Sequence, residues 1–171
     1  EMKSIPIAVI TKDNFLSFGH LIDKKNAATK YLINQETTER HHNISELSLN
    51  NEGGTPTISI FSGTPRAMPI EIRIMEKHPI GSQSFLPMQN IDWLTVVCHE
   101  NNGIPDLNNL KCFLINGNMG ITYNQNVWHH PLLVKNKQDF WIIDRTKTNE
   151  PSSINLVEYH FLKKEIQYLS F

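Results

Sequence analysis

The segment from Pro69 to Gln83, PIEIRIMEKHPIGSQ, carries the residues best placed to do chemistry. Side chains alternate across a β-strand with a period of two, so Ile70, Ile72, Ile74, Glu76 and His78 share one face. Three isoleucines mark that face as the core side, and the same register aims a carboxylate and an imidazole inward at the strand's end. Buried charge is costly unless it is paired or coordinates something, so the pair reads as a site. The opposite face, with Glu71, Arg73, Met75 and Lys77, suits solvent or a second subunit. The alternative is a strand that breaks or bulges and leaves Glu76 capping an edge.

A second segment, Tyr123 to Pro131 (YNQNVWHHP), puts Val127 and His129 on one face of an extended chain and Trp128 and His130 on the other, so one of the two histidines points inward. Glu76, His78, Gln83 and His129 together would offer a carboxylate, two imidazoles and an amide oxygen. That mixed nitrogen and oxygen set suits a first-row divalent metal better than a thiolate site does. Of the eight histidines, His20, His41 and His99 read as surface or turn residues. Cys98 and Cys112 lie in the apolar runs WLTVVC and LKCFLI, without the spacing of a zinc site or the density of a disulfide scaffold, and read as buried free thiols.

The elements that must hold these groups are mostly strands. Apolar or alternating runs fall at 57–61, 70–76, 93–98, 110–115, 121–123, 131–134, 140–144 and 157–162, separated by Gly, Pro, Asn and Asp clusters. Helical periodicity is confined to 11–18, with Thr11 as N-cap and Gly19 as the stop. The segment 163–169 is a helical turn or an edge strand. Two polar stretches, 34–55 and 146–154, read as excursions outside the core. The expected fold is therefore mainly β, a jelly-roll-like barrel or sandwich with a few short helices, in a single domain over residues 1–171. With 171 residues the chain can bury a core without a staple, so any metal would serve chemistry. Sixteen basic residues against seventeen acidic ones argue against nucleic acid as a partner. No run approaches the length of a membrane span, and the first residues lack a secretory leader's apolar core, so the expected place is the cytoplasm.

The set of residues resembles the metal-binding motifs of the cupin barrel, with Glu76 and His78 at the positions of the first two histidines, Gln83 at that of the glutamate, and His129 as the second-motif histidine. Longer strings narrow the likeness. MPIEIRIMEKHPIGSQSFLPM (68–88), NGNMGITYNQNVWHHPLL (116–133) and FWIIDR (140–145) are similar to ureidoglycolate lyases, as are FLSFGHLID (15–23), the stretch around Asn34, Arg40 and His42, ISIF (58–61) and His160-Phe161. The resemblance covers nearly the whole chain. Departures fall at Ser62, where a basic residue is expected and Arg66 is the nearby substitute, and at Asn124 and Asn126, where the family often has His and Gly.

The resemblance implies an enzyme that cleaves (S)-ureidoglycolate to glyoxylate and urea in allantoin breakdown, as a homodimer acting on a small molecule, with nickel or another divalent ion as cofactor. By that resemblance His78, Gln83 and His129 hold the metal or the substrate oxygens, and Glu76 is a further ligand or the general base. Arg73 and Arg40 are candidates for clamping the substrate carboxylate through the guanidinium fork, although alternation turns Arg73 away from Glu76. His42, His130 and Tyr123 are candidates for returning a proton to the leaving nitrogen, and Ser82 for a hydroxyl donor. The rival readings are an amidohydrolase that releases ammonia and a non-catalytic small-ligand cupin.

Overall fold

A computed structural model of the chain describes residues 2–171. The chain opens with β1 (Lys3–Ser4), β2 (Ile7–Val9), the short helix α1 (Lys12–Phe15) and β3 (Gly19–Ile22). A hairpin of β4 (Thr29–Ile33) and β5 (Thr38–His42) follows, then the long β6 (Thr55–Gly63), β7 (Ile70–Ile72), β8 (Ile74–Lys77), β9 (Gln83–Pro87) and β10 (Trp93–Cys98). The second half holds β11 (Glu100–Asn101), β12 (Ile104–Pro105), β13 (Lys111–Ile115), β14 (Gly120–Tyr123), β15 (Trp128–His129) and β16 (Leu133–Val134). It ends with β17 (Gln138–Thr146), β18 (Val157–His160) and β19 (Gln167–Leu169).

Two large sheets face each other. One runs β18-β8-β15-β10-β13-β2, with β16 also on β10, and the other runs β3-β14-β9-β17-β6. A small sheet, β1-β19-β7, covers the far side of the first. Among the described residues the ladders do not close into a barrel, so the jelly-roll expectation resolves to the open sandwich.

Strand β10 shows why these layers stack. Its six residues, WLTVVC, are all buried, the continuous apolar run of a strand covered on both faces. Trp93 and Val97 join Phe15, Phe18, Phe85, Phe113, Ile115, Ile121, Tyr123, Phe140 and Ile142 between the two large sheets. Leu94, Val96 and Cys98 join Ile70, Ile72, Met75, Cys112, Trp128 and Leu169 beneath the small sheet. Each fully buried phenylalanine contributes about 2 to 3 kcal/mol of burial free energy. Cys98 and Cys112 are free and buried, as their apolar runs imply.

Three local expectations change. The helix is four residues long, capped by Thr11 as expected: Thr11 Oγ1 accepts from Asn14 N–H at 3.0 Å and Asn14 Oδ1 accepts from Thr11 N–H at 2.8 Å. It stops early because Phe18 packs into the core and Gly19 pairs with Tyr123. The stretch 34–55 includes β5, paired with β4 in a two-stranded sheet of its own. Most importantly, the expected strand over 70–76 is interrupted at Arg73. Its first part pairs with β19 in the small sheet and its second with β18 and β15 in the large one. The change of sheet shifts the phase by one residue, so Met75, expected on the outer face, is fully buried in the same core as Ile70 and Ile72. The segment 163–169 is a 3-10 turn leading into β19, whose Leu169 is buried.

Candidate metal centre

The phase shift at Arg73 is what builds the site. With Met75 and Trp128 committed to the core beneath the small sheet, their strand neighbours Glu76 and His129 turn to the other face, between the large sheets. They are directly opposite each other across the β8–β15 ladder, and Glu76 Oε1 lies 3.6 Å from His129 Nε2. His78 follows β8, and its ring centre is 5.3 Å from that of His129. The turn that carries it is tied down by Asn126 N–H donating to the His78 carbonyl at 2.7 Å. Asn126 has φ of 66°, a left-handed conformation that Gly or Asn adopts most readily, which accounts for the Asn where the family often has Gly.

One ligating atom from each of Glu76, His78 and His129 falls within 4.8 Å of the others. Both imidazoles are oriented through Nδ1, which donates to a backbone carbonyl: Asn155 O at 2.9 Å for His78 and Val127 O at 2.9 Å for His129. Each Nε2 is buried and has no hydrogen-bond partner. A neutral imidazole with Nδ1–H anchored and the Nε2 lone pair free is the state in which histidine binds a metal. Burial, and then the neighbouring His129, push the His78 imidazole below its ordinary value. Burial raises the Glu76 carboxyl, but the imidazoles of His129, His78 and His130 outweigh it and hold the group below the ordinary carboxylate value. The donor set therefore fits a divalent first-row ion.

Glu76 and His129 open onto a cavity of about 580 Å³ lined also by Ser62, Thr64, Arg66 and Gln83, with Phe61, Phe85 and Leu132 among its apolar walls. Gln83 is buried on β9, and its Nε2 donates to Asp144 Oδ2 at 3.2 Å. Ser62 and Arg66, the two residues of the departure after ISIF, thus face the same space. Tyr123 stacks on His129 with ring centres 4.2 Å apart and planes within 15°. Its hydroxyl meets Thr95 Oγ1, and burial pushes the phenol well above its ordinary value. His130 is buried, its Nδ1 donates to the Pro131 carbonyl at 2.7 Å, and burial pushes its imidazole down to about 4.

Other sequence candidates lie elsewhere. Arg40 and His42 are on β5 of the separate hairpin, with Tyr31 beside His42 at 6.0 Å. Arg73 is exposed, pairs with Glu71 at 3.2 Å and lines a different depression with Met68 and Tyr168. The Ser82 hydroxyl is occupied by the Ser48 backbone, accepting from its N–H at 2.9 Å. Sequence reasoning named Arg66 only as the substitute for a basic residue at Ser62, and it overlooked the Asn155 carbonyl and Asp144. Alternation along Phe140, Ile142 and Asp144 carried the signal for the last.

A β-sandwich of cupin type whose facing sheets enclose two metal-ready imidazoles and a carboxylate is the scaffold of a small-molecule enzyme. A family model described as ureidoglycolate lyase matches residues 2–167. The ureidoglycolate lyase of Brucella anthropi is 38% identical over 94% of this chain and 91% of that protein. Ureidoglycolate lyase 1 of Rhizobium meliloti is 36% identical over 92% of this chain and 89% of its own length. That of Burkholderia mallei is 35% identical over 84% of each. The chain belongs to the ureidoglycolate lyase family. Among the described residues no helix is long and apolar enough to cross a membrane.

Proposed function

We propose that the protein cleaves (S)-ureidoglycolate to glyoxylate and urea, with residues 1–171 acting as one catalytic domain. The observation that carries this reading is the convergence of one ligating atom each from Glu76, His78 and His129 within 4.8 Å, with both Nε2 atoms free and with Glu76 and His129 on the cavity wall. The substrate is a carbinolamide. Its O–H bond breaks, the carbon–oxygen bond becomes the aldehyde of glyoxylate, the C–N bond breaks, and the departing nitrogen gains the proton. Glu76, held ionised, takes the hydroxyl proton and returns it to the urea nitrogen. Arg66 at the cavity wall clamps the substrate carboxylate, in preference to Arg40 and Arg73, which lie away from the cavity. Tyr123, kept protonated by burial, holds the His129 ring in place by stacking. His130, neutral at pH 7, commits its one N–H proton to the Pro131 carbonyl, and His42 stands on the hairpin. Phe61, Phe85 and Leu132 give the cavity an apolar wall.

His78 Nε2, His129 Nε2, Glu76 and the Gln83 amide oxygen would hold a divalent ion, nickel by family expectation. When bound it supplies Lewis acidity that lowers the pKa of the substrate hydroxyl. The reading extends to a cytoplasmic homodimer working in allantoin breakdown. The outer face of the five-stranded sheet supports a dimer: Ile58, Ile60 and Trp141 are exposed there, with Ile60 opposite Trp141 across the ladder. Product analysis tests the reaction. Wild-type protein should form glyoxylate and urea in equal amounts, and Glu76→Gln should lose at least about a hundredfold in kcat, the range of one general acid–base group. Ammonia in place of urea would make the protein an amidohydrolase.

A further inference from the structure

We propose that Asp144 is a positioning residue: its carboxylate holds the Gln83 amide in the one orientation that presents the amide oxygen to the cavity. Glutamine, rather than glutamate, is thereby the residue that works at position 83. The inference rests on the lyase reading above.

Strand register makes the contact. Phe140 and Ile142 are buried between the sheets, and the period of two carries Asp144 to the same face of β17. The ladder pairs Ile143 with Ser84, so Asp144 comes beside Gln83 on the neighbouring strand. There Gln83 Nε2 donates to Asp144 Oδ2 at 3.2 Å. A carboxylate only accepts, so the amino end of the amide must face it and the oxygen end must face away. From β6 on the other side, the Thr57 hydroxyl lies 3.4 Å from Asp144 Oδ1 and 3.3 Å from the Asp144 carbonyl, sharing its one proton between them. Gln83 lines the cavity with Glu76 and His129, and its amide oxygen is the polar atom left to face them. A glutamate at 83 would set carboxylate against carboxylate across this contact. An asparagine at 144 could donate or accept, and the amide would lose its single orientation.

The test is a cycle of wild type, Gln83→Glu, Asp144→Asn and the double variant, together with Asp144→Ala. Steady-state kcat and KM on ureidoglycolate are measured with nickel supplied, and melting temperatures are measured on the chelated proteins. Asp144→Ala should lower kcat about tenfold, the worth of one charge-assisted hydrogen bond, with less effect on KM, and Asp144→Asn should recover part of the loss. Gln83→Glu should be impaired in both activity and melting, and adding Asp144→Asn should raise both, because Asn can donate to the new carboxylate. A purely structural Asp144 would instead make the two losses add. A double variant no better than Gln83→Glu, a melting rescue without an activity rescue, or wild-type kcat in Asp144→Ala would each overturn the proposal. If the wild type turned over no ureidoglycolate, the lyase reading would fall, and the melting cycle would still decide the contact.

Discussion

His130 makes the stability of the metal-free protein depend on pH in a way that can be worked through. Its side chain is buried, Nδ1 donates to the Pro131 carbonyl, and its backbone N–H donates to Val96 O at 2.9 Å. Burial lowers the imidazole from 6.5 to about 4, against the opposing pull of the Pro131 carbonyl. The unfolded chain therefore takes up this proton more readily than the folded one. Stability from His130 is complete above pH 6.5 and is lost as the pH falls through 4. The gap of about 2.5 pH units is worth about 3 kcal/mol in full, of which roughly 2.5 kcal/mol is gone by pH 4.5. Urea unfolding of chelated wild type and His130→Asn at pH 7 and pH 4.5 reads it directly. Asparagine keeps a donor for the Pro131 carbonyl and does not titrate. The wild type should lose about 2 to 3 kcal/mol more than the variant between the two pH values. His78, lowered by burial and by His129, adds the same-signed loss to both proteins and cancels in the comparison. Equal acid sensitivity in the two proteins would refute the burial argument.

Other outcomes follow from the packing. Burial pushes both thiols up to about 12, so Cys98 and Cys112 should resist a disulfide reagent at pH 8 in the native protein and react on unfolding. Arg145 is buried, forks onto Glu150 at 2.8 and 2.7 Å and donates to the Asn51 carbonyl at 2.6 Å. A Cβ at Gly54 would meet Arg145 Nε at 2.2 Å, so Gly54→Ala should cost about 1 to 3 kcal/mol in denaturant unfolding. For the dimer, Ile58→Lys should convert the protein to monomer in light scattering while leaving its melting transition cooperative.

The members of the candidate centre were named from the sequence, and the route to them was less legible. Glu76, His78 and His129, which the structure brings within 4.8 Å, were picked out by side-chain alternation and by the cost of burying charge. Yet the inward turn of Glu76 comes from a break at Arg73, because Ile70–Ile72 and Ile74–Lys77 belong to different sheets. Local alternation holds no information on a change of partner strand, so Met75 was expected outside and is buried. Central strands such as Trp93–Cys98 were readable because they are apolar on both faces, whereas β3, β4, β5 and β9 mix polar and apolar residues without a clean period. The arginines show the same limit. Arg40 and Arg73 were candidates by type, but it is Arg66 that lines the cavity, from a connection between β6 and β7 that Gly63, Pro65 and Pro69 mark as a turn without showing which wall it reaches.

If Glu76, His78 and His129 form one ion-dependent catalytic centre, ion and activity must be gained and lost together. The most direct measurement pairs metal content with glyoxylate and urea formation on the same samples of wild type and His129→Ala, after chelation and after nickel is returned. The wild type should hold one ion per chain, lose activity on chelation and regain it with nickel, and the variant should show neither ion nor activity. Full turnover by thoroughly chelated wild type, or an active His129→Ala, would contradict it.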